Sequence, residues 1–497
     1  MFLTASQKKF GSFVTLTCSL LLLIAHGTSF ARDSGEEASS ASLIPVFPVY
    51  KAILGNVRFW EDIYLKRRNN EVVVHDAGHP SRVYDVVTLV EAGLPGARKI
   101  NIYREEQAKE KYVALLKKLS RQKPITREEK RIAALFPGKN PRGQMKRAAE
   151  LVRLQGGQQR RFRLGIIRSG KYIDRIKEIF REHGLPEDLA YLPMVESSYH
   201  NGAYSKVGAT GIWQFTKTTG TRYLIIDSAV DERLDPITAS RAAAEYLARS
   251  YKHLQHWPLA VTSYNYGLPG TIRAFKEFRS YTEIFRRHST AAFQFASRNF
   301  YSEFVAAVEA GKKLEKTLKR EKPVPTLNFK LKGYLCLDDL KRYFNLSEKQ
   351  IKDFNPALRP AAYKGEKRIT ENYTFHLPEA PGVREKIVNF PDILYFHKQK
   401  KVRYHKIRKG QTAGQIAKRY GISLKELKRT NRLNNKGTIH IGQQLLLPDS
   451  SNSHSTSRWH LYEKQTKKLK AKHKVLKKGP DGYPVLKGGK KHLPQST

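Results

Sequence analysis

Cysteine is nearly missing from this chain, which has only Cys18 and Cys336 among 497 residues. Cys18 falls inside an N-terminal leader, and the single thiol left by its removal makes no internal disulfide, so stability has to come from buried apolar surface. Acidic residues are scarce as well: 45 Asp and Glu face 91 Lys and Arg, a formal net charge of +46. Such an excess selects an anionic partner, whether an acidic membrane face, nucleic acid or the anionic polymer of a cell wall. Aromatics interleaved with basic residues, and ligand spacings of the zinc type, do not occur, so no nucleic acid is expected. The apolar run from Phe13 to Ala25 falls short of the ~20 residues that a spanning helix needs.

What is present begins with that leader. Lys8 and Lys9 precede the apolar run, and Ser29-Phe30-Ala31 fits the small-x-small cleavage rule, so residues 1–31 read as a secretory signal peptide. Cys18, flanked by Thr17 and by Ser19 and Leu20, does not resemble a lipid-attachment box. Cleavage and release into the periplasm or cell envelope is expected, with an uncleaved membrane anchor as the alternative.

Residues 32–160 form an N-terminal helical and irregular region. In residues 43–94 short apolar runs such as Val72-Val73-Val74 suit strands or short helices equally. Helical periodicity then appears over Gln107 to Ser120, Thr126 to Leu135 and Arg142 to Leu154. His75, Asp76 and His79 lack further spaced ligands and read as structural, so neither metal nor cofactor is expected.

The most informative stretch runs from Leu185 to Gly267. Leu185 to Tyr199 reads as one helix, with Pro186 in its first turn and apolar residues at 185, 189, 192 and 195, which places Glu196 at the C-terminus. Apolar neighbours and the negative end of the helix dipole both favour the protonated carboxyl, as a general acid requires. A helix-end Glu that caps or pairs with an Arg is the competing reading. Downstream lie Gly211-Ile212-Trp213-Gln214 and Tyr264-Asn265-Tyr266-Gly267. Asp235 and Pro236 mark the N-cap and first residue of an Ala-rich helix, and Asp231 and Glu232 beside Arg233 read as an ion-pair cluster rather than a second catalytic carboxylate.

Three blocks in order, Glu196-Ser197-Ser198-Tyr199, Gly211 to Gln214 and Tyr264 to Gly267, resemble the signatures of the soluble lytic transglycosylase (SLT) domain family. The resemblance implies a mainly α, lysozyme-like catalytic domain, here residues 161–315, that cleaves bacterial peptidoglycan. It implies that Glu196 acts first as acid and then as base, making a 1,6-anhydromuramic acid end, and that Ser197 orients Glu196. Gly211, Gln214, Tyr264 and Asn265 would hold the acetamido sugars. Where the family closes its site with a Tyr, this chain has Phe300, with Tyr301 one residue on. A hydrolytic muramidase and a non-catalytic wall-binding scaffold are the rival functions.

An internal repeat follows. Ser347-x3-Ile351-Lys352-x2-Asn355 and Ser423-x3-Leu427-Lys428-x2-Asn431 share one spacing, and each leads to an apolar-Pro end at Leu377-Pro378 or Leu447-Pro448. Residues 402–449 resemble a LysM module, a small α+β unit that grips N-acetylglucosamine chains, although Gln411 and Ala413 replace the usual Asp and Leu. Residues 327–379 look like a divergent copy, either a sugar binder or a spacer. Residues 450–497 read as a disordered tail, because from Arg458 onward twelve basic residues face two acidic ones. Such a tail attracts an anionic envelope surface or simply solubilises the protein.

Overall fold

The computed structural model of the protein describes residues 46–400, 403–447 and 457–476. The expected signal peptide, and the tail from residue 477 onward, lie outside the described residues. The described residues are mainly α, with three small antiparallel sheets among them.

The N-terminal region opens with α1 (Leu54–Leu65), which buries Val57, Trp60, Ile63 and Tyr64 on one face at helical spacing. Strands β1 (Glu71–Asp76) and β2 (Val83–Thr88) follow, then helices α2 (Ala97–Leu119), α3 (Arg127–Ala133) and α4 (Pro141–Glu150). Strand β3 (Val152–Gly156) pairs with β1, which is central in the order β2-β1-β3. The β-branched run Val72 to Val74 is buried in that central strand. The helix expected to reach residue 154 therefore stops at Glu150, because Val152 and Leu154 are drawn into ladder pairing with β1. Thr126 caps α3 in a reciprocal capping box with Glu129.

Helices α5 (Gln159–Ser169), α6 (Ile173–Glu182), α7 (Leu192–Glu196), α8 (Lys217–Gly220), α9 (Pro236–Leu254), α10 (Trp257–Tyr266), α11 (Leu268–Phe278), α12 (Tyr281–Arg287) and α13 (Phe295–Glu315) build the central domain. Its core is continuous with α1, which lies against α13. Ala239, Ala242, Ala243 and Ala244 on α9 are all buried, and their small side chains let α9 approach α6 and α10. Asp235 caps α9 by accepting the N–H groups of Ile237 and Thr238, each at 3.0 Å.

Two units follow, each a pair of strands enclosing helices. The first is β4 (Thr326–Lys330), α14 (Leu337–Phe344), α15 (Glu348–Phe354), α16 (Pro360–Tyr363) and β5 (Thr374–Pro378), followed by α17 (Val383–Val388). The second is β6 (Arg403–Lys406), α18 (Ala413–Arg419), α19 (Leu424–Asn431) and β7 (Gln444–Leu447). The repeated asparagine has one function in both. Asn355 Nδ2 donates to His376 O and its Oδ1 accepts His376 N–H, both at 2.8 Å. Asn431 bonds Leu446 in the same way, at 2.8 and 2.7 Å. A side-chain amide thus serves as a backbone partner for the last strand in each copy.

The first unit is not an independent bead. Ala229 and Val230 of the central domain belong to its core, and Asp231 N–H donates to Ala357 O at 2.8 Å while Arg359 N–H donates to Ala229 O at 2.9 Å. Within the expected disordered tail, the described residues 457–476 are ordered. Residues 459–476 form α20 (Trp459–Leu476), anchored where Arg458 N–H and the Ser457 hydroxyl donate to Asp339 and where Tyr462 packs on the first unit's core. Composition suggested disorder, but Trp459 and Tyr462 supply apolar contacts that a count of lysines does not register.

Candidate active site

Glu196 ends α7, which follows a 3₁₀ turn over Glu187–Tyr191. The continuous helix expected over 185–199 is interrupted because Pro193 lacks an N–H and its ring crowds the preceding turn. Beyond Glu196 the chain reverses through Ser198 (φ 51°) and Tyr199 (φ 55°), two successive non-glycine residues in the left-handed region. Each such residue costs ~1–3 kcal/mol and persists only where surroundings hold it. Here the Tyr199 hydroxyl donates to Ala190 O at 2.6 Å and Arg168 Nη2 donates to Ser198 O at 2.6 Å. Gly165 of α5 allows the close approach, since a Cβ there would lie 3.0 Å from Ser198 O and 2.8 Å from Met194 Cε.

The Glu196 carboxyl is pushed up to about 8, first by burial and then by the charge of Glu303. Glu303 lies on α13, one turn beyond Asn299, and is itself pushed up to about 7 by burial, against the Tyr64 hydrogen bond and the charge of Arg161. Sequence reasoning missed Glu303. The available signal was an acidic residue set among Phe300, Tyr301, Phe304 and Val305, all of which are buried.

A loop from 203 to 214 frames Glu196. The Ser197 hydroxyl donates to Ile212 O at 2.8 Å and to Pro193 O at 3.3 Å, so Ser197 ties the Glu196 turn to the loop through the backbone. Ala203 O accepts the Thr210 hydroxyl at 2.9 Å, Gly211 N–H at 3.2 Å and Gln214 Nε2 at 3.3 Å. Gln214 Nε2 also donates to Gly211 O at 2.8 Å. Gly211 is required twice over: its φ is +79°, and a Cβ would fall 1.8 Å from Arg233 O.

Trp213 is a core residue, 0 % exposed, with Nε1 donating to Ser240 Oγ at 2.7 Å. The Tyr264 hydroxyl donates to Trp213 O at 2.9 Å, fixing α10 to the loop, and the neighbouring Glu196 charge adds to burial in raising that phenol well above its ordinary value. Asn265 is exposed and accepts from the Ser297 hydroxyl of α13 at 2.7 Å. Glu196, Ser197, Gly211, Gln214, Tyr264 and Asn265 are thus linked through α7, the loop, α10 and α13.

Phe300 does not join them as an open sugar platform. It is 2 % exposed and belongs to the core, and Tyr301 is 0 % exposed with its hydroxyl donated to Pro48 O at 2.9 Å. Both aromatics of α13 are turned inward, Tyr301 toward the N-terminal segment. Asp231 pairs with Arg233, whose Nε and Nη2 reach its two carboxylate oxygens at 2.9 and 2.8 Å, a structural clamp. Among the described residues no group of three or more His, Cys, Asp or Glu is placed to hold a metal ion.

The site is thus a half-buried carboxyl at a helix end of a helical domain, framed by a Gly-dependent loop and a Tyr-Asn pair. Residues 176–284 match the transglycosylase SLT domain and residues 405–448 match the LysM domain, so the chain carries a lysozyme-like SLT domain and a C-terminal LysM domain. It is homologous, at low identity, to membrane-bound lytic murein transglycosylase D of Escherichia coli K12: 24% over 301 residues, covering 58% of this chain and 65% of that protein. The same figures hold for the protein of that name in E. coli O6:H1. A putative tributyltin chloride resistance protein of Alteromonas sp. strain M-1 is 29% identical over 115 residues, 23% of this chain and 56% of that protein. The alignments therefore span a little under two thirds of the length of the first relatives and about half that of the other.

Proposed function

We propose that the protein is a peptidoglycan lytic transglycosylase, cleaving the β-1,4 bond between N-acetylmuramic acid and N-acetylglucosamine. The observation that carries this reading is the placement of Glu196 at the end of α7, inside the residues matched to the SLT domain, where burial pushes its carboxyl up to about 8 and favours the protonated form. Protonated, it donates to the oxygen leaving the muramic acid anomeric carbon. As carboxylate, it then takes the proton of the same sugar's C6 hydroxyl, whose oxygen closes onto that carbon. No water is consumed, and the product is a 1,6-anhydromuramic acid end. General acid–base help of this kind contributes ~10²–10⁴ in rate, and an internal nucleophile removes the cost of recruiting a second molecule. In this reading Gln214, Tyr264 and Asn265 hold the acetamido sugars, as their counterparts in the SLT motifs would.

Glu303 favours a second reading, a hydrolytic muramidase, because two carboxyls flanking a bond are the usual equipment for attack by water. Product mass separates the two, since an anhydro end is lighter than a reducing end by one water. Digestion of purified peptidoglycan followed by mass spectrometry of the fragments is the test, and anhydro ends are the expected result.

The LysM domain supports retention on N-acetylglucosamine polymer, raising the local concentration of the catalytic domain without altering its chemistry. The basic surplus supports attraction to an anionic envelope surface, and a periplasmic or envelope location follows from the same reading. Among the described residues no helix is long and apolar enough to cross a membrane.

A further inference from the structure

Helix α1 lies far outside the residues matched to the SLT domain, yet one of its side chains reaches the candidate site. The Tyr64 hydroxyl donates to Glu303 Oε1 at 3.0 Å. Tyr64 is 1 % exposed and its ring stacks on Phe162 of α5, 4.3 Å between centroids. A second buried bond, Asn56 Nδ2 to Asn299 Oδ1 at 2.6 Å, fixes α1 against α13 one turn before Glu303. Phenol, carboxylate and helix are therefore locked together by packing and hydrogen bonding, on a part of the chain that the catalytic motifs do not include.

We propose that Tyr64 and Glu303 form a positioning pair for Glu196, with the phenol of α1 holding the Glu303 carboxylate in place on α13, the helix that packs against both α1 and the α7 that ends at Glu196. The inference rests on reading Glu196 as that donor. It assigns the N-terminal region a part in the chemistry: α1 completes the site from behind α13.

The charged and titratable groups that act on the pair are Arg161 of α5 and Glu196 of α7, and Glu196 in turn faces Tyr264 of α10. The hydrogen bond from Tyr64 and the charge of Arg161 both favour ionised Glu303. An ionised Glu303 in turn makes loss of the Glu196 proton harder, because two like charges would then stand in one half-buried site. Removing the phenol hydroxyl weakens that hold, and neutralising Glu303 abolishes it. Both changes act on Glu196 without touching the sugar.

The test is the pH profile of glycan cleavage by full-length wild type, Glu303→Gln, Glu303→Asp and Tyr64→Phe, with Glu196→Gln as the reference for lost chemistry. The alkaline limb of kcat is expected to move to lower pH by ~0.5 unit or more in Glu303→Gln, which is about a twofold loss of activity at pH 8. Tyr64→Phe should fall between Glu303→Gln and wild type, Glu303→Asp should stay near wild type, and KM should not move. Limbs that coincide with wild type, or a loss equal at every pH in folded variants, would overturn the pair's role. Activity retained by Glu196→Gln would instead overturn the reading of Glu196 itself, so the two failures are told apart.

Discussion

His376 of β5 and Asp235 at the cap of α9 meet across a domain boundary, with His376 Nε2 2.7 Å from Asp235 Oδ2. Asp235 spends its other oxygen on the first N–H groups of α9, so a single carboxylate both starts that helix and fastens the first repeated unit to the central domain. Burial alone would raise its carboxyl, yet the bond to His376 and the Thr238 N–H hold it below the ordinary range.

His376→Ala is therefore expected to destabilise the protein by ~1–3 kcal/mol, the usual cost of leaving a buried charged acceptor short of a partner. Because the folded value of Asp235 is depressed, its contribution is present above its unfolded value of ~3.9 and lost as pH falls through the folded one. Thermal melts of wild type and variant at pH 7 and pH 3 check this, and the gap between them should narrow at the lower pH.

Glu196 has the opposite sign. Its folded value is raised, so wild-type stability is lost as pH rises from the unfolded value of ~4.3 toward about 8. Glu196→Gln should accordingly be more stable than wild type at pH 8, by ~1–3 kcal/mol, with the difference closing near pH 4. Equal melting temperatures at both pH values would show that the carboxyl is not held in its neutral form.

Gly211→Ala should be among the most damaging single changes in the loop. A methyl group 1.8 Å from Arg233 O, on a backbone with φ +79°, forces the loop off its anchor on the Asp231–Arg233 clamp. A loss of ~3 kcal/mol or more is expected, together with at least a tenfold fall in cleavage. Calorimetry and an activity assay on the same preparation measure both.

How much of this was legible in the sequence follows from where the physics is local. Asp235-Pro236 announced a capped helix because the cap is made within three residues, and Asp231 beside Arg233 announced an ion pair for the same reason. The Asn355 and Asn431 repeat was visible as spacing, and its cause, an amide bonded to the last strand, lies about twenty residues away in the first copy. Glu303 and Tyr64 are 239 residues apart, and no window along the chain brings them together. The break before Glu196 comes from Pro193, which apolar periodicity does not register, and the burial of Phe300 depends on what packs around α13, which a motif register does not give.

The second repeated unit offers a separate check. Its core is small, and Asn431 supplies two backbone-like bonds to Leu446 that are hard to replace. Asn431→Ala should cost that unit ~2–3 kcal/mol and lower retention on insoluble peptidoglycan in a sedimentation assay. Cleavage of short soluble glycan fragments should stay at the wild-type rate.

The most direct measurement weighs the muropeptides released from purified peptidoglycan by wild type and by Glu196→Gln. Wild type should yield fragments one water lighter than hydrolytic products, and the Gln protein, folded and still bound to the wall, should yield none. Anhydro fragments released undiminished by the Gln protein, or only fully hydrated ends from wild type, would contradict a single carboxyl serving as donor and then acceptor of the proton.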